Sequence, residues 1–426
     1  MIPNDLYQKY VQILKEELVP AMGCTESVAI AYAGARAAKL LKDAGEKPVS
    51  ARVEASGDIL KNVKSALVPN TGGLRGIENA LAAGIAVGNA DAGADVLLNV
   101  TEKEYPKIGL LQLVCPITVV CSDSDEIFEI KVVLRSKNHT ATLRVLDEHT
   151  NIVLEQIDDT VLYENKTRTA CKKADRSCLT VEEIVEFADS VKIDDVKETL
   201  DRQIKYNMAI AEEGLHHKYG ASVGRIFLNA YPDDVKIRAK AYAAAGSDAR
   251  MNGCELPVII NSGSGNQGIT ASVPVIVFAR EFGISDEKLY RALCVSNLVT
   301  VHLKDGIGTL SAYCGVVSAG AAAGAGVAYL LGGGFKEVAH TIVNALAIDS
   351  GIVCDGAKAS CAAKIAISVE SGLLGMDMYR NGSQFYGGDG IVKKGVERTI
   401  ENVARLAQDG MKETDREIIR LMVEDC

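Results

Sequence analysis

The spacing of apolar positions predicts helices at both ends of the chain. Near the start, Leu6, Tyr10, Ile13 and Leu14 fall on one face of a helix. The alanine-rich run that follows Cys24 predicts a second helix, because alanine is the strongest helix former. From position 181 to the end, six further segments show the same helical period. Most of the chain is therefore predicted to be helical.

A middle segment has a different pattern. The segments rich in Val, Ile and Thr, which predict strands, are 49–56, 96–100, 110–121, 127–136, 140–148 and 151–157. Residues 78–90 lie between them and predict a helix, so 49–165 is predicted to be an α/β segment. The polar, Lys- and Arg-rich residues 166–180 predict a linker.

These patterns together predict an α+β fold, in which a large, mainly helical domain contains an inserted α/β domain. We expect residues 1–46 to be a helical part of the main domain and 47–170 to be the insertion. Residues 171–426 would then complete the helical domain.

The net charge of the chain limits the kinds of binding partner that we expect. The net charge of -10 and the pI near 5.3 argue against nucleic acid and against an anionic membrane surface. Two stretches, 256–279 and 306–335, lack charged residues and are long enough to span a bilayer. Their Asn, Ser, Gln, Gly and Ala content instead favours buried segments of a soluble helical core.

The chain has eleven cysteines, an odd number, and its charged, amphipathic start does not resemble a secretion signal. A disulfide framework is therefore not expected, and a reducing cytoplasmic setting is favoured. Most of these cysteines would be small apolar fillers, and a few are candidate metal ligands.

Two glycine-rich loops are candidate binding sites. Gly263 to Gly268 forms a GxGxxG pattern, but the next segment predicts a helix instead of a strand ending in an acidic residue, and Pro274 interrupts the following helix. A nicotinamide site is therefore disfavoured. Backbone N–H groups of such loops can still bind a carboxylate, and plain turns are the alternative. The candidate substrate-binding residues are Asn70, Thr71, Gly72, Ser262, Gly263, Asn266 and Gln267.

Three later cysteines form a candidate metal site. Cys314 opens a Gly- and Ala-rich helix, Cys354 follows 40 residues later, and Cys361 seven after that. These intervals do not match zinc fingers or ferredoxins. Three cysteines on separate elements can hold three irons of a [4Fe–4S] cluster and leave the fourth iron open. By spacing alone, buried small residues in a tight core remain the alternative.

Five motifs in order resemble the L-cysteine desulfidase family, a relative of the iron–sulfur L-serine dehydratase α chain. They are MGCTES at 22–27, GDILKNVKSALVPNTGG at 57–73, NSGSGNQGITASVPV at 261–275, LSAYCGVVSAGAAAGAG at 310–326 and GIVCDGAKASCAAKIA at 351–366. The resemblance implies a [4Fe–4S] enzyme that needs no pyridoxal phosphate and converts L-cysteine to pyruvate, ammonia and sulfide. The main helical domain would then be the catalytic one. The position of the α/β part after the Cys24 helices favours the desulfidase branch.

The resemblance also implies residue roles. Cys314, Cys354 and Cys361 would hold the cluster, and the open iron would act as a Lewis acid on the leaving sulfur. Cys24, at the start of a helix whose dipole favours a thiolate, is the candidate base. The rival hypothesis makes Cys24 a cluster ligand and Cys361 structural. His302 and Lys358 are further catalytic candidates, although a core histidine and a surface lysine are the ordinary alternatives.

Other roles and functions stay open at this point. Glu26 is a candidate for the substrate ammonium, and Cys426 for an empty iron position in a resting state. The nearest rival activity is the same elimination from L-serine. A protein of another class, a non-catalytic metal or sulfur carrier, is also an alternative. The substrate would be a small amino acid, and a homodimer is an option for the assembly.

Overall fold

The computed structural model describes residues 2–124, 126–167, 174–308 and 310–423. In chain order its elements are α1 (Asn4–Glu17), β1 (Pro20–Ala21), α2 (Thr25–Asp43), β2 (Ser50–Ala55), α3 (Gly57–Val63), α4 (Ile77–Val87), α5 (Tyr105–Val114), β3 (Ile117–Cys121), β4 (Glu129–Arg135), β5 (Thr140–Leu146), β6 (Ile152–Ile157), β7 (Thr160–Glu164), α6 (Val181–Ser190), α7 (Ile193–His216), α8 (Val223–Ala230), α9 (Val235–Met251), β8 (Val258–Ile259), α10 (Gly265–Glu281), α11 (Asp286–Asp305), α12 (Gly315–Leu330), α13 (Phe335–Asp349), α14 (Cys361–Arg380), α15 (Val396–Arg405) and α16 (Lys412–Val423). Short 3₁₀ turns lie at Gly93–Asp95 and Glu102–Glu104, and a π-helical turn at Leu406–Gly410. The α+β class predicted from the sequence is confirmed.

The chain divides into two compact units. The helical unit comprises Met1–Met22, Lys173–Cys354 and Ala359–Asp415. The sheet unit comprises Gly23–Lys172, Asp355–Lys358 and Arg416–Cys426. The predicted boundary near 170 and the cysteines at 171 and 426 lie outside the described residues.

The helical unit is built around two buried helices, α10 and α12. α12 packs against α10, α11, α13 and α14, and α10 also packs against α7 and α9. From Val316 to Leu330 every residue of α12 is buried, as is every residue of α10 up to Ala279. The helical parts of the two uncharged stretches are therefore core helices, as the sequence predicts. Among the described residues, no helix combines the length and the apolar character needed to cross a bilayer.

Small residues set the spacing of the core helices. Gly320 and Gly324 of α12 face Ser368 and Gly372 of α14, so closely that a Cβ on Gly324 would stand 2.4 Å from the carbonyl oxygen of Gly372. Because 320 pairs with 368 and 324 with 372, α12 and α14 run parallel. Their N-termini, near Cys314 and at Cys361, therefore lie at the same end.

The sheet unit contains a six-stranded sheet in the order β3-β2-β4-β5-β6-β7. β2 and β3 are parallel, and the other neighbours are antiparallel. Burial alternates along β2, β4 and β5, as expected for a sheet with one covered face. α2 packs on β4 and β5 and also against α4. The helix that begins after Cys24 is therefore held in place by the sheet and by α4.

One strand prediction is wrong, and a second is confirmed only for part of its length. Val96–Val100 follows a 3₁₀ turn instead of forming a strand, and the carbonyls of Leu97 and Leu98 accept hydrogen bonds from the Asn70 side chain, at 2.9 and 3.1 Å. In the 110–121 segment, α5 continues to Val114 and only Ile117–Cys121 forms a strand. The strands predicted near 49–56, 127–136, 140–148 and 151–157 are confirmed.

Candidate functional site

In the helical unit, a short backbone pairing brings two of the candidate ligands together. Tyr313 and Val353 form an antiparallel bridge. The Cys314 N–H donates to the Ile352 carbonyl at 3.1 Å, and the Cys354 N–H donates to the Ala312 carbonyl at 2.6 Å. This pairing explains how cysteines 40 residues apart in sequence become neighbours.

The cysteine side chains interact with one another. A hydrogen bond between the Cys354 and Cys314 side chains, together with burial and the more distant Cys361, raises the pKa of Cys314 well above its usual value. Cys314 caps the N-terminus of α12, and Cys361 is the first residue of α14. The positive ends of both helix dipoles therefore favour negative charge near these sulfurs.

The donor set fits an iron–sulfur cluster in chemical type, because thiolates are the usual protein ligands of such clusters. Among the described residues, no group of three or more His, Cys, Asp or Glu side chains could hold a metal ion. A four-iron cluster separates its protein ligands more widely than one ion does, so the three-cysteine assignment stays a prediction.

The second glycine-rich candidate, the Asn261–Ser264 loop, lies beside the Cys314 turn. Ser262 and Gly263 adopt left-handed conformations (φ 48° and 77°), which turn the chain directly into α10. A Cβ on Gly315 would stand 2.7 Å from the Gln267 amide nitrogen, so this amide contacts the first turn of α12. Candidate substrate-binding and candidate ligand residues therefore meet inside one unit.

A buried amide network supports this loop. The Asn261 side chain donates to the side-chain oxygen of Asn297 at 3.0 Å, and Asn297 and Gln203 exchange hydrogen bonds at 2.8 and 2.9 Å. Ser262 donates its N–H to Glu17 at 3.1 Å. β8 before the loop has two residues and pairs antiparallel with β1. The parallel strand–helix–strand unit of a dinucleotide site is therefore not formed here, although α10 does continue through Pro274.

Arg250 also lies beside this loop, although no sequence motif predicts it there. Its side chain lies under the start of α10, where the guanidinium donates to the Asn266 side-chain oxygen at 3.2 Å. It is only 6% exposed, whereas arginine is rarely buried without a specific partner. The sequence holds only a weak signal, one arginine at the end of an alanine-rich helix.

In the sheet unit, Cys24 caps the N-terminus of α2 and is 3% exposed. Its thiol donates to the Glu26 carboxylate at 3.2 Å, and Thr25 and Asn62 donate to the same carboxylate at 3.0 and 3.2 Å. Burial opposes ionisation of Glu26, but His149 and these hydrogen bonds lower the pKa of Glu26 overall. Glu26 therefore holds the thiol proton and opposes a Cys24 thiolate, against the helix dipole.

The first glycine-rich loop lies next to this turn. A Cβ on Gly23 would stand 2.5 Å from the Pro69 ring. Asn70 uses its side chain to bind the 97–98 carbonyls, and Thr71 donates its hydroxyl to the Val68 carbonyl at 2.7 Å. Both side chains therefore stabilise the loop, and Gly72 supplies a left-handed turn (φ 72°).

The two remaining catalytic candidates have local partners. His302 pairs with Glu397 at 2.6 Å, and Glu397 also accepts the Val181 N–H at 2.8 Å, an arrangement that joins three helices. Lys358 pairs with Asp355 at 2.5 Å in the loop of the sheet unit. Ordinary structural roles account for both contacts.

The match to known proteins defines the class. The model of the family described as serine dehydratase alpha chain matches residues 91–420, and the chain belongs to this family. It is a family of lyase-type dehydratases that typically contain iron–sulfur centres. The predicted relationship to the iron–sulfur serine dehydratase α chain is confirmed. The matched region includes Cys314, Cys354 and Cys361, whereas Cys24 lies before it.

UPF0597 proteins of several bacteria are similar to this chain over nearly all of its length. A UPF0597 protein of Desulfitobacterium hafniense (strain Y51) is 56% identical over 422 residues, covering 99% of this chain and 97% of the relative. UPF0597 proteins of Treponema denticola and Lachnoclostridium phytofermentans are 46% and 47% identical, each covering 98% of this chain and 98% and 100% of the relative.

Proposed function

We propose that the protein is a [4Fe–4S]-dependent cysteine desulfidase, which converts L-cysteine and water to pyruvate, ammonia and hydrogen sulfide without pyridoxal phosphate. The observation that carries the proposal is the side-by-side arrangement of Cys314 and Cys354 next to Gln267 of the glycine-rich loop. Ligand residues and amino-acid-binding candidates are neighbours there. The reducing cytoplasm would keep these thiols available.

The side chains of Cys314, Cys354 and Cys361 would hold the cluster. When bound, the cluster would supply an open iron that stabilises the negative charge of the departing sulfur. The loop at Ser262–Gln267 would orient the amino acid. It would do so through N–H groups at the start of α10, a helix whose Ser264 cap makes no side-chain hydrogen bond.

In the proposed reaction Cys24 takes the α-proton, and the C–S electron pair leaves with sulfur. The resulting aminoacrylate takes up a proton and is hydrolysed to pyruvate and ammonia. Because the Cys24 thiol donates to Glu26, Cys24 must first lose its own proton. The Glu26 carboxylate opposes this step, because its lowered pKa makes it a weak proton acceptor.

A second candidate function is the elimination of water from L-serine, which the family match favours. Its leaving group, hydroxide, is a harder ligand than sulfide. The substrate that the protein turns over faster decides between the two activities.

The test compares the full-length chain, purified anaerobically and reconstituted with iron and sulfide, on L-cysteine and L-serine. Sulfide and pyruvate should appear in equal amounts from L-cysteine. Cys314→Ser, Cys354→Ser and Cys361→Ser should each abolish both products and reduce the visible absorption of the cluster. Cys121→Ser, at an exposed position in β3, is the matched control and should behave as wild type.

Two outcomes contradict the proposal. Faster turnover of L-serine than of L-cysteine would assign the protein to the dehydratases. Iron binding with no product from either amino acid would favour a metal or sulfur carrier.

A further inference from the structure

The helical unit contains a cavity apart from the cysteine turn. Its volume is about 360 Å³, within the range of small-ligand sites. Its walls are the N-terminal half of α13 and residues 384–396, which lead from α14 into α15. This second wall is anchored, because the Phe385 N–H donates to the Asn344 side chain at 3.0 Å and the Lys393 N–H donates to the Thr399 hydroxyl at 3.1 Å. The cavity is therefore a built part of the fold.

The length of α13 separates this cavity from the candidate ligand turn. The cavity lies along the N-terminal half of α13, whereas Cys354 follows the C-terminal end of that helix at Asp349. The 15 residues of α13 span about 22 Å. In the same way, α14 starts at Cys361 and ends at Arg380, shortly before the second wall. The cavity is thus a different site from the one proposed to carry the reaction.

Three lysines line the cavity, and none of them forms an ion pair with a carboxylate in the described part of the chain. They are Lys336, Lys393 and Lys394. The nearby acidic side chains have other partners, because Glu337 pairs with Arg380 at 2.6 Å and Asp389 accepts the Tyr386 N–H at 2.6 Å. A local excess of positive charge on a chain with a net charge of -10 indicates a preference for an anion.

Two helix N-termini add to this positive potential. Gly334 and Gly395 precede α13 and α15, and as glycines they offer no side chain to cap the first N–H groups. Lysine at the N-terminus of a helix is unfavourable, because the positive end of the helix dipole lies there. The three lysines nevertheless lie in the first turn of α13 and just before α15. A bound anion would offset this repulsion.

The walls also supply aromatic rings. Phe335, Phe385 and Tyr386 line the cavity together with the buried side chains of Val343 and Val392. Tyr386 is 61% exposed, so its ring is accessible to a ligand. Aromatic faces stack favourably on flat apolar groups. The cavity therefore fits a ligand that has a flat body as well as a negative charge.

We propose that this cavity binds a small anion that carries a phosphate group on an aromatic body, the chemistry of a nucleoside monophosphate. The phosphate would bind the three lysines and the first N–H groups of α13 and α15, and the aromatic body would stack on Tyr386. A phosphate monoester carries about two negative charges at neutral pH, which match several cations better than a single carboxylate does. Inorganic phosphate alone would leave the rings unused. This site goes beyond the proposed function, because no step of the elimination requires it.

The experiment measures the binding of three probes by titration calorimetry to the full-length, anaerobically reconstituted chain in phosphate-free buffer. Adenosine monophosphate carries both parts of the ligand, adenosine lacks the phosphate, and inorganic phosphate lacks the aromatic body. We expect adenosine monophosphate to bind at least about tenfold more tightly than either of the other probes. Its preference over adenosine should shrink as salt is raised, because salt screens the lysines.

Variants assign each part of the ligand. The triple variant Lys336→Met, Lys393→Met, Lys394→Met should weaken binding of adenosine monophosphate about tenfold and leave adenosine within about twofold. Tyr386→Ala should weaken both nucleoside probes by a similar factor, about fivefold or more, because both lose the stacked ring. The matched control is Lys205→Met, which replaces an exposed lysine of α7 in the same unit that does not line the cavity. It should leave the binding of all three probes unchanged.

Two results would overturn the inference. One is that adenosine monophosphate binds no more tightly than inorganic phosphate, and the other is that the triple variant keeps the wild-type affinity for adenosine monophosphate. All four substituted side chains are exposed, so each variant should keep the wild-type urea midpoint; if the triple variant does not fold, Tyr386→Ala alone decides. Sulfide release plays no part in this measurement, so the inference and the proposed function succeed or fail separately.

Discussion

Replacing Gly324 by alanine should push α12 and α14 apart. The new Cβ would lie 2.4 Å from the carbonyl carbon and oxygen of Gly372, about 1 Å short of the 3.4 Å at which ordinary contact begins. Both atoms belong to backbone, so the strain cannot be relieved by a side-chain rotation. Overpacking of this kind costs about 1–3 kcal/mol, while alanine in a helix interior returns about 0.5–1 kcal/mol relative to glycine. The net expectation is a loss of about 1 kcal/mol, within a range of about 0–2.5 kcal/mol.

The assay is urea unfolding followed by far-UV circular dichroism, with iron content measured on the same reconstituted samples. Because the parallel helices begin near Cys314 and at Cys361, separating them should also lower iron incorporation. Gly109→Ala is the matched control, since it is also a helix-interior change and its Cβ would meet nothing within 4 Å. It should stabilise the protein by about 0.5–1 kcal/mol. An unfolding midpoint for Gly324→Ala at or above that of wild type would refute the close-packing argument.

Three further predictions follow from buried groups. Burial raises the pKa of Asp349 to about 7. Because the folded state then binds a proton that the unfolded state releases, stability should fall as pH rises from about 4 to 7. Asp349→Asn should flatten this part of a plot of urea midpoint against pH. Glu26→Gln should speed alkylation of Cys24 by iodoacetamide at neutral pH, because it removes the carboxylate 3.2 Å from the sulfur. Mass spectrometry measures the alkylation rate, and an unchanged rate would contradict this prediction. Gly315→Ala should raise KM for the amino acid with little change in the unfolding midpoint, since its Cβ would displace the Gln267 amide; an unchanged KM would count against that contact.

Local sequence pattern predicts which helices and strands form better than it predicts what they pack against. The alternation of β4 and β5 and the glycine- and alanine-rich α12 are visible because each carries its own period. The apolar 96–100 run has the composition of a strand, but its carbonyls are satisfied by the Asn70 side chain, a contact that no local pattern contains. Likewise, helical periodicity in α2 does not reveal that the helix packs on the sheet.

The candidate site shows the same limit. The cysteines and the glycine-rich loop were predicted as separate motifs, because spacing along the chain cannot show that Tyr313 pairs with Val353. The position of Arg250 beside this loop is not predicted for a related reason. It depends on burial under Gly265, and burial of a single arginine depends on tertiary packing.

The arrangement of helix ends connects packing with chemistry. The first turn of α10 contacts the first turn of α12 through Gln267 and Gly315, and α14 runs parallel to α12 with Cys361 at its start. Three helix N-termini therefore lie at one end of the helical unit, each equivalent to roughly half a positive charge. Three positive helix ends at one place favour anionic groups there. Thiolates and an amino-acid carboxylate are such groups, so the glycines that allow close helix packing also create the electrostatic preference on which the proposed chemistry depends.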